Sequence, residues 1–427
     1  MVNTYLDETG RTLLAWYELA VILYFMPIVS KHLYVTARQV CRIPLQIEVA
    51  KYMNSIERHQ IRRERRIAKR MAKKERALRA YNDFNEVFSY EHLYHSYKQC
   101  KKGVSWKASV QRYIEQAPLR VYRTWNELQE DKFRTKGFVE FDILERGKKR
   151  HIRSVDVDER VVQRCLCDYC LVPALCRTFI GDNGASRERK GYTFAMNRVD
   201  QFLHEHYRKY GNEGYVLLFD FSKFFDRVSH ELVKQIMRNE IHDAGIIRLC
   251  DHFIDAFGDI GLGLGSQISQ VLALATGNRL DHYIKEQLQI RGYVRYMDDG
   301  CLIHHSKKHL QHCLEKIQEV CDELHITLNR KKTQIVKLSH GFTFLKVRFY
   351  LTKSGRIVRK LAHRSVVRMR RKLKALKPLV DCGKLTYDDI YMSVQSWRAY
   401  AYNFNSYHTV RSIEMLCSEL FDEKVIL

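Results

Sequence analysis

The chain has 427 residues, 45% of them hydrophobic, which is enough to bury a full core in two or three subdomains. Lys and Arg number 73 against 49 Asp and Glu, and the resulting +24 points to a polyanionic partner, nucleic acid ahead of an anionic membrane; a basic protein with no such partner is the plain alternative. Five prolines and 20 glycines argue against a linker-rich or disordered chain, and twelve cysteines in a long chain without a basic leader read as free thiols of a reducing, cytoplasmic compartment.

The first apolar stretch, Leu13–Val29, is interrupted by Glu18 and Pro27 and follows Asp7 and Glu8. It is marginally short for a membrane span, and a helix packed on the protein or a partner is expected ahead of membrane contact. Arg62–Arg79 reads as a charged helix in which Arg62, Arg66, Lys69 and Arg70 are candidates for RNA binding; a solvated helix with some Glu–Arg pairing is the other reading. Cys165, Cys167, Cys170 and Cys176 are close enough to suggest zinc. They fall on a helical segment that turns Cys165 and Cys167 about 200° apart, so buried thiols are expected.

Tyr215–Phe219 is a continuous apolar run ending at Asp220, the pattern of a buried central strand. A helix is expected to start near Ser229, a good N-cap residue. Gly261, Gly263 and Gly265 then precede Ser269-Gln270. Next come two strand-like runs, Gly292–Met297 and Gly300–His305, with Asp298 and Asp299 between them at hairpin spacing. Adjacent carboxylates can be ordinary turn chemistry. With Asp220 at the end of another strand, they suggest a site for hard divalent cations, which prefer oxygen ligands. A strand ending in Asp beside a hairpin carrying Asp-Asp is how two-metal nucleotidyl transfer is assembled. A further basic block, Arg364–Lys377, contains Arg368 and Arg371.

Over residues 85 to 420 the chain resembles a bacterial or phage reverse transcriptase. Tyr296-Met297-Asp298-Asp299 resembles the catalytic tetrapeptide of that family, and Phe219-Asp220 to Phe225-Asp226 the first catalytic strand. Gly261–Gln270 resembles the glycine loop, Arg146–Arg153 with Asp158–Gln163 the basic fingers segment, Leu328–Thr333 and Phe342–Leu345 the two later palm motifs, and Ser396-Trp397-Arg398 the thumb. The resemblance implies an α/β (α+β) right-hand polymerase: a helical basic extension (1–85), fingers (86–200), an antiparallel palm sheet (201–350) and a helical thumb (351–427).

It also implies the roles. Asp220, Asp298 and Asp299 would bind two Mg²⁺ ions, with Mn²⁺ as an alternative, and the Phe221 carbonyl would complete one of them. Lys148, Arg150 and Arg153 would hold the triphosphate, with a solvated turn at Gly147 as the plain reading. Phe225 would exclude the 2′-hydroxyl, Gln270 and the glycines would approach the nascent pair and template, and Lys332 would protonate pyrophosphate or be an ordinary surface lysine. Arg368, Arg371 and Trp397 would contact nucleic acid. The implied reaction copies an RNA template into DNA from dNTPs on a primer.

Ser269-Gln270, where many relatives have Ser-Pro, is similar to diversity-generating retroelements, and the long extension to phage-defence types. Lys346 stands where a glycine is usual and puts that turn in question. An accessory protein or a homo-oligomer is compatible with this reading; a membrane is not expected. The rival readings are a template-independent or protein-primed DNA polymerase and a non-catalytic RNA-binding protein.

Overall fold

A computed structural model of the protein describes residues 55–145 and 147–421. The chain divides into two compact units, Met1–Arg76 and Ala77–Leu427. Leu13–Val29 lies outside the described residues. Among the described residues no helix is long and apolar enough to cross a membrane. Helix α1 (Ser55–Tyr81) carries the basic run. Arg62, Arg66, Lys69 and Arg70 are all exposed, and so are its apolar Ile67 and Met71. The segment has no interior Gly or Pro, so propensity favours the helix.

In the second unit, α2 (Tyr90–Cys100), α3 (Ala108–Glu115) and α4 (Ala117–Gln129) pack with α5 (Val157–Leu166). Between α4 and α5 the chain forms an antiparallel hairpin, β1 (Val139–Glu145) and β2 (Lys148–Ser154). Cys165, Cys167 and Cys170 are buried, and burial pushes all three thiols up.

The central sheet has the order β4-β5-β3-β6 and is antiparallel throughout. Its strands are β3 (Tyr215–Asp220), β4 (Gly292–Tyr296), β5 (Asp299–His304) and β6 (Gln334–Lys337). The unbroken apolar run of β3 has a direct cause. Leu217 and Phe219 enter the core that also holds Leu310, Cys313 and Ile317 of α10 (Lys307–Glu323). Val216 and Leu218 enter the opposite core with Ala195, Val199 and Leu203 of α6 (Tyr192–Tyr210). A strand covered on both faces needs apolar residues at every position. Helix α7 (His230–Arg238) starts where expected, with the Ser229 hydroxyl accepting from Leu232 N, and packs with α8 (Ala244–Asp255).

A second sheet joins β7 (Phe342–Phe344), β8 (Val347–Leu351) and β9 (Ile357–Leu361). The β7–β8 turn is made by Leu345 and Lys346, both left-handed at φ 48° and 67°. The tight turn that Lys346 put in question is therefore present, with side chains in a conformation that favours glycine. Helices α11 (His363–Asp381), α12 (Tyr387–Ala401) and α13 (Tyr407–Phe421) close the chain around their own small core, including Leu373, Ile390 and Ile413.

Candidate active site

β3 delivers Asp220 to one end of the central sheet, and the β4–β5 hairpin delivers the other two carboxylates. Tyr296 pairs with Asp299 across that hairpin, so its two turn residues are Met297 and Asp298. The sequence expectation of an Asp298–Asp299 turn is thus displaced by one residue. Met297 takes the left-handed position at φ 54°, and Asp299 joins β5 directly opposite Asp220. Phe221 N donates to the Asp298 carbonyl at 3.1 Å, which ties the turn to the end of β3. Gly300 is required by its neighbour: a Cβ there would lie 2.2 Å from the Phe219 ring.

The hairpin is held from behind by residues that the sequence reading missed. Arg295 Nη1 donates to the Met297 carbonyl at 2.9 Å, while its Nε and Nη2 donate to Asp281 at 2.7 and 2.8 Å. Tyr293 donates its hydroxyl to the same carboxylate at 2.7 Å. The only sequence signal was a charged residue inside an otherwise apolar strand.

Asp220 is 3% exposed. Its carboxylate accepts from Asn329 Nδ2 at 3.0 Å and from Lys332 Nζ, and its carbonyl accepts from Asn329 N at 2.7 Å. Asn329 was part of a recognised motif but had been given no role. Burial and the Asp220 charge raise Asp298 above the ordinary carboxylate range. Burial, then Asp298 and Asp220, lift Asp299 to about 7. Burial draws Lys332 down, but its bond to Asp220 and the nearby carboxylates leave it raised overall. Three carboxylates that repel one another in a half-dry site are chemistry that suits a hard cation. Even so, among the described residues no group of three His, Cys, Asp or Glu side chains is already arranged as a metal cage. The Lys332 ammonium is the cation that meets Asp220.

The other expected residues divide into those near the carboxylates and those engaged elsewhere. Arg150 is exposed on β2, and its charge reaches Asp298 and draws that carboxyl down. Lys148 opens β2 opposite Glu145. Phe225 is half-buried just after β3, and its carbonyl accepts from Leu262 N at 2.7 Å. Gln270 is exposed on α9 (Gln267–Thr276).

Arg153, expected at the triphosphate, is also engaged by the protein. Its guanidinium donates to the Phe257 carbonyl at 2.9 Å and pairs with Glu140 at 3.0 Å, which braces the hairpin. The glycines, expected to approach the nascent pair and template, also allow close approach within the protein. A Cβ on Gly261 would lie 2.7 Å from the Asp226 carbonyl, and one on Gly265 2.8 Å from that of Arg153. Trp397, expected at nucleic acid, is half-buried and packs against both the core of α11–α13 and the core under the second sheet. Arg368 and Arg371 lie exposed on α11.

A strand-end aspartate registered against a carboxylate hairpin, on an antiparallel sheet backed by helices, is an arrangement on which two-metal nucleotidyl transfer can be assembled. Residues 145–349 match the family described as reverse transcriptase (RNA-dependent DNA polymerase). No curated protein matches the chain. Solved structures similar to it include apo telomerase from Candida tropicalis truncated from the C-terminal domain, at 16% identity over 56% of this chain and 60% of that one with a TM-score of 0.42. Another is apo telomerase of the same organism, at 14% identity over 70% and 68% with a TM-score of 0.44. Telomerase from Candida albicans in complex with a TWJ fragment of telomeric RNA is similar at 11% identity over 66% and 62% with a TM-score of 0.40. The chain spans 60% of the length of the first of these.

Proposed function

We propose that the protein is a reverse transcriptase that extends a primer 3′-hydroxyl with dNTPs along an RNA template, with fingers at 86–200, palm at 201–350 and thumb at 351–427. The single observation that carries this reading is the register of Asp220 against Asp299, with Asp298 in the adjoining turn. Asp220, Asp298 and Asp299, with the Phe221 carbonyl, would hold two Mg²⁺ ions. When bound, such ions neutralise charge on the transferring phosphoryl group and clamp the attacking and leaving oxygens.

The chain's own groups do the rest. Arg150 and Lys148 stand on the hairpin strand to steady the triphosphate, since fixed cations favour developing charge on phosphate oxygens. Lys332 is bonded to Asp220 and carries a proton that it can yield to the departing pyrophosphate. The Phe225 ring would lie against the deoxyribose. The exposed basic residues of α1 and α11 would take the phosphate backbone of the RNA and of the product duplex, which is gripped by shape.

Ser269-Gln270 supports a diversity-generating retroelement as the biological setting, and the basic extension supports an anti-phage defence system. The test is an extension assay with purified protein, its neighbouring non-coding RNA and labelled dNTPs. An RNA–DNA hybrid that depends on the added RNA is the expected product. Polymer made without RNA would replace this reading with template-independent synthesis, and no polymer at all would leave an RNA-binding protein on a polymerase fold.

A further inference from the structure

The seven residues between α2 and α3, Lys101-Lys102-Gly103-Val104-Ser105-Trp106-Lys107, have no part in the carboxylate site. Trp106 is 73% exposed, more than any other aromatic among the described residues. A tryptophan left this open forgoes the burial that its large apolar surface ordinarily brings, which calls for a reason. Around it the charge has one sign. From Lys98 to Ile114 the chain carries Lys98, Lys101, Lys102, Lys107 and Arg112 and not one carboxylate. Among the described residues none of these five enters an ion pair. Three of them lie against rings instead: Lys98 over Tyr94 at 4.7 Å, Lys101 over Tyr97 at 5.2 Å and Lys107 over Trp106 at 5.6 Å.

The segment is also built to hold its shape. Val104 N donates to the Lys101 carbonyl at 3.2 Å and Lys107 N to that of Val104 at 3.1 Å. Gly103 takes the left-handed turn at φ 73°, and a Cβ there would meet nothing within 4 Å. The ring is therefore presented on a fixed backbone and pays little ordering entropy on binding.

We infer that Lys101–Lys107 is a stacking platform for single-stranded RNA, on which Trp106 takes the face of an unpaired base while Lys101, Lys102 and Lys107 take the flanking phosphates. Every base offers a π-face and every nucleotide a phosphate, so this pairing of an open ring with unpaired cations suits an unpaired strand without regard to sequence. A duplex keeps its bases stacked internally and offers the ring nothing. An anionic lipid surface would draw the lysines too, but the segment carries one exposed aromatic and no apolar helix face to enter a bilayer. The choice of RNA as the strand rests on the reverse transcriptase reading.

The test uses the full chain in EDTA, where no synthesis occurs, and measures anisotropy of labelled single-stranded RNA of about 20 nucleotides, of an RNA hairpin duplex and of phosphatidylserine vesicles. Trp106→Ala is expected to weaken single-strand binding about tenfold and duplex binding less than about twofold, while Trp106→Phe keeps most of the affinity. Lys101→Ala/Lys102→Ala/Lys107→Ala should lower the slope of log affinity against log salt by about 2. Wild-type affinity of Trp106→Ala for the single strand, equal losses on strand and duplex, or a loss confined to vesicles would each overturn the platform. Asp298→Asn separates the two readings. With Mg²⁺ restored, it removes the synthesis seen in the wild type and leaves this binding unchanged if both hold, whereas no synthesis by the wild type itself, with Trp106-dependent binding intact, overturns the polymerase reading alone.

Discussion

Arg295 and Asp281 form a bidentate ion pair with neither side chain exposed to solvent, at 2.7 and 2.8 Å. The pair stands behind the β4–β5 hairpin, and the third arm of the guanidinium holds the Met297 carbonyl at the turn. Removing one partner of such a pair strands a buried charge, whereas replacing both can be nearly neutral. Arg295→Met should therefore lower unfolding free energy by about 3–5 kcal/mol in urea titrations, and Arg295→Met/Asp281→Leu should recover much of that loss. Synthesis should stay low in the double variant, because the Met297 carbonyl still lacks its donor. A double variant with full activity would show that the turn does not depend on Arg295.

Asp298→Asn keeps the size of the turn residue and deletes its charge. Primer extension should fall by at least about a thousandfold, since cation ligation rather than packing is lost. RNA affinity measured by filter binding should stay within about twofold of wild type, because few phosphates touch this turn. Retained extension would break the assignment of the carboxylates.

Asp299 gives the protein a pH signature. Burial, Asp298 and Asp220 lift its folded-state pKa to about 7 from an ordinary value of 3.8. Between those values the folded chain holds a proton that the unfolded chain has released. Stability in EDTA should therefore fall as pH rises from about 4 to 7, since the unfolded state binds fewer protons there. Asp299→Asn should flatten that fall in urea midpoints. Mg²⁺ needs the bare carboxylate, so its affinity, read by calorimetry, should climb over the same span. A wild-type profile that matches the Asn variant would remove Asp299 from the titrating set.

Phe225 follows β3 by five residues and is half-buried, with its ring 5.9 Å from that of Phe224. If the ring rejects a 2′-hydroxyl by clash, truncation removes the repulsion without building a new contact. Phe225→Ala should raise NTP use relative to dNTP use by about tenfold or more in single-nucleotide kinetics. An unchanged sugar preference would leave Phe225 as palm packing only.

The exposed cations of α1 and α11 predict a steep salt response. Arg62, Arg66, Lys69, Arg70, Arg368 and Arg371 all lie open to solvent. Neutralising about six phosphates gives a slope of about −4 in log affinity against log salt for a single strand. Alanine at Arg368 and Arg371 should take about one to two units off it. A flat titration would return both helices to plain solvated surface.

Much of this was legible because it is local or one-dimensional. The unbroken run Val216–Phe219 declared a strand covered on both faces, Ser229 declared a helix start, and the spacing of Tyr296 and Gly300 declared a hairpin. The boundary inside that hairpin was not legible. Whether Asp298 or Met297 takes the left-handed place depends on the pairing of Asp299 with Asp220, and that partner comes from a strand far away in the chain. Arg153, Gly261, Gly265 and Trp397 were assigned outward-facing roles because their residue types suit ligands. Folding also gave them protein neighbours that the sequence does not show, since a guanidinium, a bare Cα and an indole serve internal packing as readily as binding.

Composition and charge were sufficient to point to a nucleic-acid partner, and the motifs, through the resemblance they carry, to the proposed polymerase with three acidic residues at its centre, because residue type and alternation are properties of the chain itself. Which groups stand behind those acids was settled only in three dimensions. Arg295 finds Asp281 on the preceding helix, and Lys332 and Asn329 find Asp220 across more than a hundred residues of chain. The energy of a buried charge depends on the neighbours that surround it, and no linear pattern records them.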